Sequence, residues 1–199
     1  MEKQYIITSV REFGSMGRPI ARRLSELLGI EFYDRDIVEE TARKMNLPVS
    51  VISINEENQG SAYSRMRFPL GKSSREKQDE IFRVQSEIIR SLAKRESCVI
   101  VGRCSDYILR DFENRLSICV YAPFEKRIEN CVSSLGMDEE TAMQMTVEVD
   151  KARRKYHKRY ANYSPEDIKN KNLLIDSSFF GIEGTARLIA EIAKSKFGK

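Results

Sequence analysis

Apolar residues along this chain follow two rhythms: short runs dense in them, and longer stretches in which they recur every three or four positions. The strand-like runs lie at Tyr5 to Val10, Ile30 to Tyr33, Ser97 to Gly102, Arg115 to Pro123 and Asn172 to Ser178. Ser97 to Gly102, nearly uninterrupted, carries the signature of a strand buried on both faces of a parallel sheet. Between the runs come helical patterns. Ile20, Leu24, Leu27 and Leu28 make one stripe, and Ile37, Val38, Thr41, Ala42 and Met45 a second. Ile81, Val84, Ile88, Ile89 and Leu92 mark the longest helix, over Glu76 to Arg95, and Ala186, Ile189, Ile192 and Ala193 a closing one over Gly184 to Phe197. Shorter helices are expected at Pro48 to Glu57, Leu109 to Phe112 and Phe124 to Leu135, with a long one from Asp138 toward Tyr160.

Punctuation agrees with this reading. Gly29 and Gly136 stand where helices end, and Asp36 is placed to cap the second helix. Alternating strands and helices predict a mostly parallel α/β sheet with right-handed crossovers. Asn58 to Ser74 breaks the rhythm with a polar stretch carrying Arg65, Arg67 and Lys72, read as part of a mobile lobe or a solvated loop.

Composition narrows the class. With 199 residues, 41% of them hydrophobic, the chain can bury one sizeable core. The net charge of +4 allows an anionic substrate without demanding nucleic acid. Cys98, Cys104, Cys119 and Cys131 form no C-x-x-C pair and read as small buried residues of a reduced, cytoplasmic protein. With a single histidine, a structural zinc site is not expected. The first residues read as a strand rather than a leader, and no apolar run approaches membrane-spanning length.

The richest stretch is Tyr5 to Ala21, an apolar run followed by Gly14, Gly17 and a helix. A strand, a glycine turn and a helix start together bring backbone N–H groups and a partial positive charge to an anion. Phosphate-binding loops follow G-x-x-x-x-G-K-[ST], the Lys reaching the phosphates and the hydroxyl holding Mg²⁺. Here the glycine spacing is shorter, Glu12 falls where the first glycine belongs, Arg18 replaces Lys, and Pro19 takes the hydroxyl's place. Arg18 can grip phosphate with a planar fork of donors. An ordinary strand-to-helix turn is the competing reading.

Other candidates sit at strand ends. Asp34 and Arg103 each follow a predicted strand, where ligands of open α/β sheets gather. For Asp34 a turn or capping role competes; Gly102-Arg103 at the end of a buried strand favours function. The densest charge is Lys151, Arg153, Arg154, Lys155, Lys158 and Arg159. Lys151, Lys155 and Arg159 share one face, and Asp150 is spaced to support Arg154. This is a solvated face, a phosphate-gripping lid or a nucleic-acid patch, with Tyr156, Tyr160 and Tyr163 fitting either function. His157 reads as a surface member of that face.

Four segments, Ser9 to Arg18, Leu28 to Arg35, Val99 to Arg103 and Leu174 to Ser178, together resemble the bacterial cytidylate kinase-like proteins, relatives of the nucleoside monophosphate kinases. The resemblance runs through most of the chain in order. It implies one three-layer P-loop kinase domain over 1–199, with a nucleotide-monophosphate lobe at 35–75 and a lid at 136–165. It also implies ATP and Mg²⁺, and a small nucleotide as acceptor, CMP first. Phe13, Gly14, Ser15, Met16, Gly17 and Arg18 would hold the donor phosphates, and Asp34, Arg103 and Arg159 would face the acceptor. Arg18, Arg153 and Arg154 would serve the transferring phosphoryl group. Cys104 stands where the related Gly-Arg-Asp segment has its acid, and Ser15 is the loop's one hydroxyl for a metal. A nucleotide-binding regulator without transfer activity is the second reading, and a nucleic-acid binder using Lys151 to Arg159 the third.

Overall fold

The computed structural model describes residues 4–49, 51–52 and 72–198. The element order is β1 (Ile6–Arg11), α1 (Gly17–Leu28), β2 (Glu31–Tyr33), α2 (Arg35–Met45), α3 (Lys72–Arg95) and β3 (Cys98–Val101). Then follow α4 (Ser105–Ile108), β4 (Arg115–Tyr121), α5 (Phe124–Leu135), α6 (Glu139–Ala161), a 3₁₀ turn (Ile168–Asn170), β5 (Leu173–Asp176) and α7 (Ser177–Phe197).

The sheet is parallel throughout, in the order β2-β3-β1-β4-β5. Ile6 of β1 stands beside Cys98 of β3 and Arg115 of β4, which puts β1 at the centre. Its neighbours explain its composition: alternate residues of one strand serve opposite faces. Ile7, Val99, Val101, Ile118 and Val120 pack with Ile20, Leu24 and Leu28 of α1 and Ile189 of α7. Ile6, Cys98 and Ile100 point the other way, onto Ile37 of α2 and Ile88, Ile89 and Ala93 of α3. Helices therefore cover both faces, and the continuous apolar run of β3 follows directly.

Several expectations shift. The second helix begins at Arg35 with Asp34 in the capping position, so Asp36 lies inside the first turn. The long helix starts at Lys72, four residues before the periodicity predicted. The helical turn expected over Leu109 to Phe112 sits earlier, at Ser105–Ile108. The closing helix reaches back to Ser177 but is broken at Gly181, whose φ of 65° and ψ of −176° are not helical; the regular part matches the apolar periodicity. Arg65 and Arg67, residues 53–57 of the expected short helix and residues 58–71 of the expected mobile lobe lie outside the described residues.

Candidate functional site

Parallel strands deliver their carboxyl ends to one edge of the sheet, and the polar residues of interest gather there. β1 ends at Arg11 and the chain turns through Glu12 to Met16 before α1 begins. Met16 adopts a left-handed φ of 58° and offers the helix start no side-chain cap. Gly14 has a φ of 76°, and a Cβ there would lie 2.6 Å from the Arg127 carbonyl oxygen. Gly17 is required by a different neighbour: a Cβ there would meet the Arg11 Cβ at 2.5 Å.

Polar groups from α5 and α6 tie down the turn. Asn130 donates to the Gly14 carbonyl at 2.8 Å, and the Phe13 N–H donates to Asp150 Oδ1 at 2.8 Å. Arg127 Nη1 meets Asp150 Oδ2 at 2.5 Å, both side chains being largely buried, and its Nε lies 3.5 Å from Glu12. Burial pushes the Glu12 carboxyl above its ordinary value, with Arg127 opposing. Ser15 is fully buried, and its hydroxyl lies 2.9 Å from the Glu12 carbonyl and 3.2 Å from that of Val120. The hydroxyl expected to serve a metal is therefore spent on the backbone.

Arg18 and Asp34 meet. Arg18 Nε lies 2.7 Å from Asp34 Oδ2, the arginine half exposed and the aspartate buried. Arg103 and Arg153 line one cleft at the carboxyl ends of β1 and β3, with Arg11, Gly102, Tyr156 and His157 also on its wall. Its volume is about 60 Å³. Arg153 Nη1 is 3.5 Å from the Arg11 carbonyl and 3.8 Å from Asp150, and its guanidinium lies 5.8 Å from the Phe13 ring centre. Arg154 pairs with Glu166 at 2.7 Å rather than with Asp150. Together with Arg153 it borders a smaller neighbouring cleft. Arg159 turns away toward α3, where it meets Asp79 at 2.7 Å.

His157 is not a surface residue. It is 3% exposed, with Nδ1 2.9 Å from the Tyr163 carbonyl and Nε2 3.0 Å from Asp106 Oδ1. Both ring nitrogens face oxygen atoms. Asp106 also receives Lys171 at 2.7 Å and the Tyr163 hydroxyl at 3.1 Å. Burial alone would raise the Asp106 carboxyl, but His157 and Lys171 outweigh it and hold the group well below the usual carboxylate range. Asp106 thereby ties α4, α6 and the approach to β5 together.

Sequence reasoning brought out Arg103 and Arg153, which share a cleft, and Arg18 and Asp34, which form a pair. It missed Arg11, Arg127, Asp106 and the site of Asp150. Arg11 carried the same signal as Arg103, a cation closing a buried strand. Among the described residues, no group of three or more His, Cys, Asp or Glu side chains could hold a metal ion. No helix among them is long and apolar enough to cross a membrane.

Similarity to known proteins runs through most of the chain. The profile of the Cytidylate kinase-like family matches residues 6–179. A cytidylate kinase of Aeropyrum pernix is 28% identical over 188 residues, which is 92% of this chain and 95% of that one. The crystal structure of an uncharacterized protein from Eubacterium ventriosum superposes with a TM-score of 0.71 at 26% identity, over 96% of this chain and 99% of the other. Shikimate kinase from Acinetobacter baumannii, in complex with shikimate, shares the fold: TM-score 0.56 at 17% identity, over 100% of this chain and 97% of that one. The three-layer architecture is that of the P-loop kinases.

Proposed function

Because the chain belongs to the cytidylate kinase-like family, we propose that it is a nucleotide-dependent phosphotransferase moving the γ-phosphoryl group of ATP to CMP or a similar small nucleotide-like acceptor. The observation that carries this reading is the cleft lined by both Arg103, after β3, and Arg153 of α6, beside the glycine turn that opens α1. Phosphoryl transfer needs alignment and charge neutralisation more than covalent help from the protein.

In this reading residues Phe13 to Arg18 form the cradle for the donor phosphates, with backbone N–H groups at the helix start as donors. Arg18 bridges that cradle to Asp34 on the acceptor side. Arg103 and Arg153 flank the transferring group, with Arg154 beside them. Arg159, fastened to Asp79, shapes the acceptor side by holding α6 against α3. Residues 136–165 serve as the lid, and 35–75 as the acceptor lobe. Closing a lid over the site excludes water that would otherwise take the phosphoryl group. An intracellular nucleotide as substrate and four buried free cysteines fit the cytoplasm.

Among the described residues, magnesium has no ready-made protein shell. Pro19 occupies the usual hydroxyl position, the Ser15 hydroxyl is committed to backbone carbonyls, and Asp34 and Asp150 are paired with arginines. Those residues do not fit a resident Mg²⁺. The same observation favours a second reading, a protein that binds nucleotide without transferring phosphate.

A coupled ADP-release assay with Mg-ATP against CMP, dCMP, UMP, AMP and GMP, with an acceptor-free control, separates the two. Acceptor-dependent ADP production is the expected result and names the substrate. Absence of turnover with every acceptor, while ATP still raises the melting temperature, would establish the second reading instead.

A further inference from the structure

Arg11 closes the central strand, and two glycines make room for it. The stem passes the start of α1, where a Cβ on Gly17 would lie 2.5 Å from the Arg11 Cβ. The guanidinium then lies across the end of β3, where a Cβ on Gly102 would lie 2.6 Å from Arg11 Nη1. Gly17 and Gly102 are 85 residues apart in sequence, so the two clearances are independent features of the chain. Between them they define one path for a single side chain. That path ends on the wall of the cleft shared with Arg103 and Arg153. Arg11 also borders the smaller cleft beside it, with Glu12, Asp150 and Arg154.

The loop arginine is differently disposed. Arg18 is half exposed and its Nε lies on Asp34, a buried carboxylate at the end of β2. Among the described residues Arg11, and not Arg18, lines the cleft that carries Arg103 and Arg153. Arg11 comes from the strand immediately before the turn and needs no helix position to reach the cleft. Its side chain also meets a wall that already carries two more guanidinium groups. Three such groups around a small cleft suit a compact dianion better than a carboxylate, because each fork can take two oxygens.

We propose that Arg11, joined by Arg103 and Arg153, is the cation that receives the transferring phosphoryl group, the task a lysine performs in the common phosphate-binding loop. This rests on the phosphotransferase reading above and names the ligand of that site as a phosphoryl dianion. In the transfer, an ionised oxygen of the acceptor phosphate forms a bond to the γ-phosphorus. The bond from that phosphorus to the bridging oxygen breaks, and its electron pair leaves with ADP. No proton has to be removed, since the attacking oxygen is already ionised at neutral pH. What the protein must supply is positive charge over the equatorial oxygens, and Arg11 stands where that charge is wanted.

The test is binding of inorganic tripolyphosphate by isothermal titration calorimetry, with the full chain and with Arg11→Met, Arg11→Lys and Arg18→Met, each checked for folding by circular dichroism. Loss of a charge-assisted contact predicts affinity reduced roughly 10- to 100-fold in Arg11→Met, with a smaller loss in Arg11→Lys and the smallest in Arg18→Met. If Arg11→Met fails to fold, Arg11→Lys decides, because it keeps the stem and the charge but not the fork. Wild-type affinity in the folded Arg11 variant would overturn the proposal. So would a wild-type chain that binds no tripolyphosphate, or a loss confined to Arg18→Met. The readout is independent of turnover. A chain that makes no ADP with any acceptor, yet loses tripolyphosphate in Arg11→Met, would sink the kinase reading and leave the Arg11 site standing.

Discussion

Asp150 of α6 reaches across to the glycine turn and accepts the Phe13 N–H at 2.8 Å. The contact joins residues 137 positions apart, and it places a carboxylate on a turn whose backbone N–H groups face anions in related folds. The charge is balanced by Arg127 at 2.5 Å and, more distantly, by Arg153 at 3.8 Å. An internal anion therefore holds the turn and α6 together.

Removing that carboxylate leaves Arg127 buried without its close partner. Breaking one side of a buried ion pair costs about 3–5 kcal/mol. At roughly 2–4 °C per kcal/mol for a chain of this size, Asp150→Ala should lower the melting temperature by about 10 °C. Asp150→Asn keeps an acceptor for Phe13 and should lose less. Thermal unfolding followed by circular dichroism checks both. A melting temperature for Asp150→Ala within a degree of the wild type would show that the contact contributes nothing.

Gly14 and Gly29 offer a controlled comparison, because both have positive φ but different surroundings. At Gly29 nothing lies within 4 Å of a Cβ, so Gly29→Ala meets only backbone strain, about 1–2 kcal/mol. At Gly14 the Cβ would also lie 2.6 Å from the Arg127 carbonyl oxygen and 3.0 Å from Cys131 Sγ. Gly14→Ala should therefore destabilise the fold clearly more than Gly29→Ala in urea titrations. Equal midpoints for the two variants would mean that α5 yields to the methyl group and that the turn is not tightly held.

These glycines show what the sequence disclosed and what it withheld. Gly14 and Gly17 were legible as a turn, since a strand, two glycines and a helical stripe follow one another locally. Their reasons were not legible, because Arg127 is more than a hundred positions away from Gly14, and Gly17 clears a side chain of the strand before it. β1 and β3 could be read because burial on both faces leaves its mark on every residue of a strand. His157 could not, since its partner Asp106 lies 51 residues earlier in a short helical turn and its other contact is a loop carbonyl. Periodicity records which face is buried; it carries no record of which charges meet.

The Asp106 cluster makes a pH prediction. Its carboxyl is held below the ordinary value by His157 and Lys171 against the opposing effect of burial. A depressed carboxylate contributes stability that is fully present above the unfolded-state value near 4 and lost as pH falls below it. Unfolding free energies measured in urea from pH 7 down to 3 should therefore fall more steeply for the wild type than for Asp106→Asn. At pH 7 the variant should be less stable, by about 3 kcal/mol or more, because Lys171 is left buried without its counter-charge. Parallel pH profiles would rule out Asp106 as the source of the acid sensitivity.

Arg153 and Arg159 sit six residues apart on α6 and should separate in kinetics. Arg153 lines the cleft beside Arg11 and Arg103, while Arg159 is fastened to Asp79 on α3. A guanidinium that meets charge developing in transfer acts on the chemical step, and its loss typically costs on the order of 10²–10³ in kcat. One that only braces the acceptor side acts on binding. With the acceptor found in the ADP-release assay, Arg153→Ala should lose kcat about a hundredfold or more. Arg159→Ala should keep kcat and raise the acceptor KM by roughly tenfold or less, because an exposed pair contributes little. The reverse pattern, kcat lost in Arg159→Ala and retained in Arg153→Ala, would move the transferring group out of the cleft and toward the contact of α6 with α3.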